Sequence, residues 1–307
     1  MPASFRQLSY FIVVAECGKL SEASKRLHIS QPALSAAISQ LEDTWQTQLF
    51  VRHKAQGVSL TTNGESLLVY SRQLLQQANA LADYARELNL KVAGEIHIGC
   101  FSTLAPLFIP QLLQQAQQAY PELKIHVQEG DIAQLNDDLL NGRLELALSY
   151  SLDNDERLTQ TALLSCPPYV LLPKQHPLAK HKELQLKQLG DEPMILLDLP
   201  HSREYFTSLF AQFGVIPNIQ YRSSNFEMIR SMVGAGLGFS LLNQQPNTKQ
   251  TYNGGEVKIT PLKGGEAHAL QIVIARHAGV KPSVRAEALI GLIGLIGDLV
   301  EKNRLGK

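Results

Sequence analysis

The spacing of apolar positions divides the chain into stretches with different periods. Residues 1–61 read as short helices followed by a hairpin. Residues 62–90 read as one long helix. From Gly94 onward, short β-branched strands alternate with amphipathic helices. Within Leu20 to Glu42, the positions Ala23, Leu27, Ile29, Leu34, Ile38 and Leu41 can bury one face of two short helices, with His28-Ile29-Ser30 as the break between them. Ser30 is placed to cap the second helix. Pro32 fits its first turn, where no intrahelical N–H is needed. That helix exposes Gln31, Pro32, Ser35, Ala36 and Ser39. Small side chains let a helix lie deep in a DNA major groove, and a glutamine amide can pair with adenine N6/N7. After Leu49-Phe50, the run Arg52, His53 and Lys54 precedes Gly57 and Ser59-Leu60-Thr61, a hairpin whose cations suit phosphate contacts. A plain helical hairpin with a polar face fits the spacing too.

The long helix has a start signal at Thr62-Asn63-Gly64-Glu65, read as a capping box with Thr62 as N-cap. Leu67, Ser71, Leu74, Ala78, Leu81, Ala85 and Leu88 then alternate at intervals of four and three, the a/d pattern of a coiled-coil seam. A long helix between two domains needs a partner for such a stripe, which predicts a dimer seam rather than packing on its own domain.

Strands are predicted at Glu95–Cys100, Lys124–Gln128, Leu144–Ser149, Tyr169–Leu172, Met194–Leu197, Ile219–Arg222, Phe239–Leu242, Val257–Thr260 and Ala269–Ala275. Their alternation with helices argues for an α/β domain with mainly parallel strands. In such sheets ligands lie off the carboxyl ends of strands, beside free N–H groups at helix starts. Four ends carry suitable chemistry: Phe101-Ser102-Thr103, Glu129-Gly130-Asp131, Leu199-Pro200-His201-Ser202 and Ser224-Asn225-Phe226-Glu227, with Ser224 and Glu227 read as a second capping box. Each group also reads as an ordinary cap or turn.

Composition narrows the classes. Apolar residues are 44% and charged residues 18% of 307, as expected for a packed globular chain. Formal net charge is zero, so no tail binds nucleic acid indiscriminately. Over residues 1–61 six basic residues face four acidic ones, a local excess of +2. Cys17, Cys100 and Cys166 are far apart, and no CxxC or Cys/His ligand spacing occurs, so no metal site and no cofactor is expected. The cysteines read as small buried hydrophobes, with a redox-sensing thiol as the alternative. No G-x-S-x-G elbow, HExxH or P-loop is present, which argues against an enzyme. No signal peptide or long apolar span is evident, so a cytoplasmic protein is expected and a solute-binding receptor is disfavoured.

The run from Phe5 to Leu68, with LSEASKRLHISQPALS, then ISQLE, then LF-R, then LT-x-x-G, resembles the N-terminal domain of LysR-type transcriptional regulators. The resemblance extends over essentially the whole chain and is weaker after residue 90. It implies an all-α-type winged helix-turn-helix head over 1–61, with the helix-turn-helix about Leu20 to Ser39, and a linker (dimerisation) helix over 62–90. It implies a periplasmic-binding-protein-like effector domain over 91–307, made of two α/β subdomains: the first about 91–162 and 267–307, the second about 163–266. Such a protein binds operator DNA as a homodimer or homotetramer. Ser30, Gln31, Pro32, Ser35, Ala36, Ser39, Arg52, His53 and Lys54 would face the DNA. Ser102, Thr103, Glu129, His201 and Phe226 would line the effector cleft, with Phe101, Ser202 and Asn225 beside them. The segment Val233 to Leu242 resembles the family's glycine-rich helix-to-strand turn. Helix starts in the cleft favour a polar or anionic effector, although Glu129 would repel a strong anion. Four positions depart from the family pattern: the pair Ala36-Ala37 replaces a basic or glutamine-rich pair, Trp45 a usual aliphatic residue, and Gln46 a glycine after the recognition helix.

Overall fold

Helices α1 (Phe5–Cys17), α2 (Leu20–Arg26) and α3 (Gln31–Trp45) are followed by a hairpin of β1 (Phe50–His53) and β2 (Gly57–Leu60). The structure, a computed structural model, describes residues 3–53, 57–87, 92–153 and 155–305; Lys54 and Leu88, and the side chain of Ala85, lie outside what it describes. Phe11, Val14, Ala23, Leu34, Ile38, Leu41, Leu49 and Phe50 form one small core, which matches the helical spacing read from the sequence. Ser30 caps α3, its hydroxyl accepting from the Ala33 N–H at 3.4 Å, and Pro32 sits in the first turn. Gln46 keeps the turn that a glycine would make: it adopts φ 49° at the end of α3, in the left-handed region costly for a side chain, and its amide donates to the Asp43 carbonyl at 2.7 Å. Trp45 packs edge-on to Phe11 with ring centroids 6.2 Å apart, as part of the core margin.

The long helix α4 (Thr62–Glu87) begins one residue earlier than the capping-box reading implied. Thr61, not Thr62, is the cap: its hydroxyl accepts from the Gly64 N–H at 2.9 Å, which places Gly64, rather than Glu65, at the box position. Gly64 is required by proximity, because a Cβ there would lie 2.3 Å from the Leu49 carbonyl oxygen. Leu68 joins the head core and Ser71 and Arg72 are buried, whereas Leu74 is 47% and Leu81 70% exposed. The opposite flank of α4 docks on the body, where the Gln73 amide reaches the Leu140 carbonyl at 3.4 Å.

The body has two sheets. The first subdomain contains β3 (Gly94–Phe101), α5 (Ala105–Ala119), β4 (Leu123–Gly130), α6 (Ile132–Leu140), β5 (Leu146–Tyr150) and β6 (Leu158–Cys166). The chain then crosses into the second, with β7 (Tyr169–Pro173), β8 (Pro193–Leu197), α7 (Pro200–Gln212), β9 (Asn218–Ser223), α8 (Phe226–Gly234), β10 (Ser240–Leu242) and β11 (Val257–Pro261). It returns through β12 (Leu270–His277) and ends on α9 (Val284–Leu305). The first sheet has the order β4-β3-β5-β12-β6, and the second holds β10-β7-β11, linked to the pair β8-β9 by a bridge between Met194 and Phe239.

Two expectations change here. The sheets are mixed rather than mainly parallel: β3, β4 and β5 run parallel, but β12 is antiparallel to both β5 and β6, and β7 is antiparallel to β10 and β11. A strand returning from the other subdomain enters at the cleft end of the sheet and so runs against its neighbours. Strand β6 had no place among the predicted strands. It pairs along its length with β12, so the first crossing follows Cys166. Its sequence LTQTALLSC lacks clean alternation, and its burial is irregular, because the pairing shifts register at a bulge between Ile272 and Val273.

Candidate functional site

In the head, α3 presents Gln31, Pro32 and Ala36 to solvent, with Ser35 and Ser39 half-buried along the same helix. The hairpin lies against this helix: the Arg52 guanidinium donates to the Ser39 hydroxyl at 3.3 Å. His53 shares a 2.8 Å hydrogen bond with Ser59 across the hairpin. Arg52 and His53 are both exposed on β1, so a helix with small side chains and a basic strand form one continuous surface. Gly57 has φ 97°, and a Cβ there would meet the Gly18 carbonyl oxygen at 2.3 Å, so the wing closes directly on the end of α1.

The body carries an open cleft of about 830 Å³ between the two subdomains. Ser102, Thr103 and Glu129 form one wall, at the carboxyl ends of β3 and β4. Asn225, Phe226 and Arg230 of the α8 region form the other, and Gln244 and Tyr252 contribute from the segment after β10. Asn225 is the cap of α8, accepting from the Met228 N–H at 2.9 Å; the Ser224–Glu227 box does not form. Glu227 is drawn away to Arg230 at 2.7 Å and to the Tyr252 N–H at 3.0 Å.

The other expected cleft residues divide. Phe101 is 1% exposed and packs edge-on to Tyr150 beneath the floor, so it is core rather than an open apolar wall. Ser202 is buried beside Phe101, Thr103, Tyr150 and Tyr205 around a small inner cavity that Phe226 and Gln244 also border. His201, on the first turn of α7, does not line the cleft. Burial drives the Tyr150 phenol well above its ordinary range and holds the Tyr205 phenol up at about 12. Both therefore stay neutral, as hydrogen-bonding groups.

Nothing in the sequence singled out Arg230, Gln244 or Tyr252. Arg230 is 4% exposed and fully engaged: it pairs with Glu227 and donates to the Thr248 and Gln250 carbonyls at 2.7 and 3.0 Å. Gln244 is 3% exposed, and neither atom of its amide has a partner among the described residues. Its backbone carbonyl accepts from Tyr169, and the neighbouring Asn243 amide donates to the Cys166 carbonyl at 2.8 Å. The crossing strands thus fix Gln244 at the inner end of the cleft while its side chain stays unsatisfied, an unusual cost for a buried amide.

A winged helix-turn-helix joined by a long helix to a two-lobed α/β domain with a cleft defines a ligand-responsive DNA-binding protein. Residues 5–65 match the bacterial regulatory helix-turn-helix protein, lysR family, and residues 91–294 match the LysR substrate binding domain. The chain belongs to the LysR-type transcriptional regulators: a DNA-binding transcription regulator with an effector-binding domain of periplasmic-binding-protein-like fold. It is 31% identical over 238 residues to the uncharacterized HTH-type transcriptional regulator YvbU of Bacillus subtilis (strain 168), covering 78% of this chain and 80% of that protein. Its structure is similar to that of HinK, a LysR family transcriptional regulator from Pseudomonas aeruginosa (36% identity, TM-score 0.65, 97% and 100% of the two chains). It is also similar to a full-length OxyR variant from Pseudomonas aeruginosa (25% identity, TM-score 0.78, 97% and 99%). No helix among the described residues is long and apolar enough to cross a membrane.

Proposed function

We propose that this chain is a cytoplasmic, non-enzymatic regulator that binds operator DNA through α3 and the wing as a homodimer or homotetramer. A small effector held between the subdomains controls it. The observation that supports the effector reading is the unpartnered Gln244 amide at the inner end of the cleft: it is buried, and a turn of the side chain toward the cleft would present a donor pair and an acceptor to a ligand. Thr103, buried at the rim, adds a hydroxyl.

The charges of the lining revise the expected ligand. Among the described residues, Arg230 is the one cation of the lining and is committed to Glu227, whereas Glu129 has no hydrogen-bond or ion-pair partner. An anion would enter against that uncompensated carboxylate. A molecule with a cationic nitrogen for Glu129, an oxygen or amide group for Gln244, and a flat or aliphatic body over Leu107 and Phe226 fits better than a simple anion. The redox alternative has less support: Cys100 and Cys166 are buried, and burial pushes the Cys100 thiol up, away from the reactive thiolate.

Calorimetry on the full-length protein against a panel of small amines, amino acids and carboxylic acids tests this. Binding is expected among ligands with a cationic nitrogen. Glu129→Gln should weaken that binding tenfold or more, and Thr103→Val should blunt the effector response while leaving effector-free operator binding intact. Full affinity in both variants, with loss in a variant far from the cleft, places the site elsewhere. Turnover of a bound molecule would overturn the non-enzymatic reading.

A further inference from the structure

A second cluster of chemistry lies at the opposite end of β3 from the cleft. The parallel register of β3 and β4 sets Glu95 opposite Lys124 and His97 opposite His126. Ile96 and Ile98 turn into the core, so Glu95 and His97 share the other face, and all three acid and imidazole groups are exposed. The two imidazoles stack with centroids 4.5 Å apart and planes 12° from parallel. Glu95 Oε2 lies 3.4 Å from His126 Nε2. One ligand atom from each of the three residues falls within 4.8 Å of the others. Thr103 of the cleft is six residues further along from His97, about 20 Å at extended spacing.

We propose that Glu95, His97 and His126 form a binding site for a borderline divalent transition metal, zinc being the reference ion, with a fourth position open to water. Two imidazole nitrogens and one carboxylate oxygen are the ligand types such ions take, and the set lacks the many oxygens that calcium or magnesium requires. Zinc–nitrogen bonds of about 2.0–2.1 Å put neighbouring tetrahedral ligands roughly 3.3 Å apart. The ligand atoms, all within 4.8 Å of one another, must therefore close by no more than about 1.5 Å. Exposed side chains achieve this by rotation, because the strand register already fixes their Cα atoms. Glu95 would exchange its exposed bond to Lys124 Nζ, now 3.2 Å, which contributes little. Burial, then the charge of His126, hold the His97 imidazole below its ordinary value. The two histidines are 29 positions apart in sequence, outside any ligand-spacing motif, which is why the sequence did not reveal the site.

The location gives the site a route to the head. Glu16 and Arg26 lie close enough to His97 to act on its charge. Glu16 lies near the end of α1, where it holds Arg26 at 2.9 Å and the buried Arg72 of α4 at 3.4 Å. A dication beside His97 attracts Glu16 and competes with both arginines, so metal loading is expected to change operator affinity.

The experiment uses untagged full-length protein stripped with a chelator. Zn2+ is titrated against a chromophoric zinc indicator, and Co2+ is followed by its visible absorption. One ion per chain is expected, with a tetrahedral cobalt spectrum. His97→Gln and His126→Gln should each weaken zinc binding at least tenfold and abolish the spectrum. His176→Gln, altering a histidine of the second subdomain that pairs with Glu192, should change neither. Thermal unfolding of the stripped variants checks that they fold as wild type does. Equal zinc affinity in wild type and His126→Gln, or equal loss in His176→Gln, overturns the site. Operator binding with and without zinc then tests the coupling. An unchanged affinity in wild type overturns that part, and a shift that disappears in His126→Gln supports it.

Discussion

The proposed DNA-reading surface and the proposed effector cleft both use helix starts, but they are assembled over different distances along the chain. In the head, Ser30, Gln31, Ala36 and the wing residue Arg52 all come from within residues 30–52, folded around one small core. In the body, the cleft takes Thr103 from the end of β3, Glu129 from β4, Asn225 and Arg230 from the α8 region, and Gln244 and Tyr252 from beyond β10. A site of the first kind holds its shape wherever its own core is intact. A site of the second kind exists only while two subdomains keep their spacing, which is the property a ligand-controlled switch needs. Between them lies α4, whose buried flank touches the head and body while Leu74 and Leu81 face solvent.

The largest expected effect lies on that connecting helix. Leu74→Glu combined with Leu81→Glu sets carboxylates into the proposed seam and should weaken the dimer at least 100-fold, about 3 kcal/mol. Sedimentation velocity reads this directly, and an unchanged dimer would move the interface off α4. Next come two substitutions that separate the two regions. Gly64→Val in the head places a Cβ 2.3 Å from the Leu49 carbonyl oxygen, and Gly238→Val in the second subdomain places one 2.1 Å from that of Pro193. Each should cost about 3 kcal/mol of its own domain's stability. Gly64→Val should abolish operator binding with effector binding retained, and Gly238→Val the reverse; calorimetric unfolding that falls for both domains in either variant would contradict their independence.

Two smaller effects sharpen the description of the DNA surface. Arg52→Ala should weaken binding on all sequences and lower the salt slope by about 1, since a phosphate contact carries no base information. Gln31→Ala should lose discrimination, at about 1–3 kcal/mol for a bidentate base contact. Retardation assays across salt concentrations distinguish them, and wild-type behaviour of both would reassign the groove-facing side of the head. The smallest effect is Gln46→Gly. It relieves the φ 49° backbone but removes the bond to Asp43 and gains unfolded-state freedom, so the net gain should stay below about 1 kcal/mol. Head melting that drops would mean the glutamine amide outweighs its backbone strain.

The head was legible because its signals are local. The apolar spacing of Ala23, Leu34, Ile38 and Leu41 marked the buried face, and Ser30-Gln31-Pro32 marked the start of α3. The errors were short-range competitions between neighbouring capping residues. Thr61 beats Thr62 because the Leu49 carbonyl approaches Gly64, and Asn225 beats Ser224 because Glu227 is drawn to Arg230. Five of the expected cleft residues, Ser102, Thr103, Glu129, Asn225 and Phe226, line the cleft, because strand ends and helix starts converge there. Phe101 turns into the core and His201 lies off the cleft, because which side of a strand end or helix turn faces the cleft depends on the opposite subdomain.

Local periodicity and capping chemistry by themselves determined the three-part organisation, the helix-turn-helix with its wing and the alternating α/β body. Helical and strand periods act over a few residues and need no distant partner. Tertiary structure alone decided which sheet received β6, the antiparallel course of β12, the burial of the unsatisfied Gln244 amide, and the meeting of His97 with His126. Each depends on strand order and register between residues far apart in the chain, and pairing across a sheet is set by how whole faces pack rather than by any residue's neighbours in sequence.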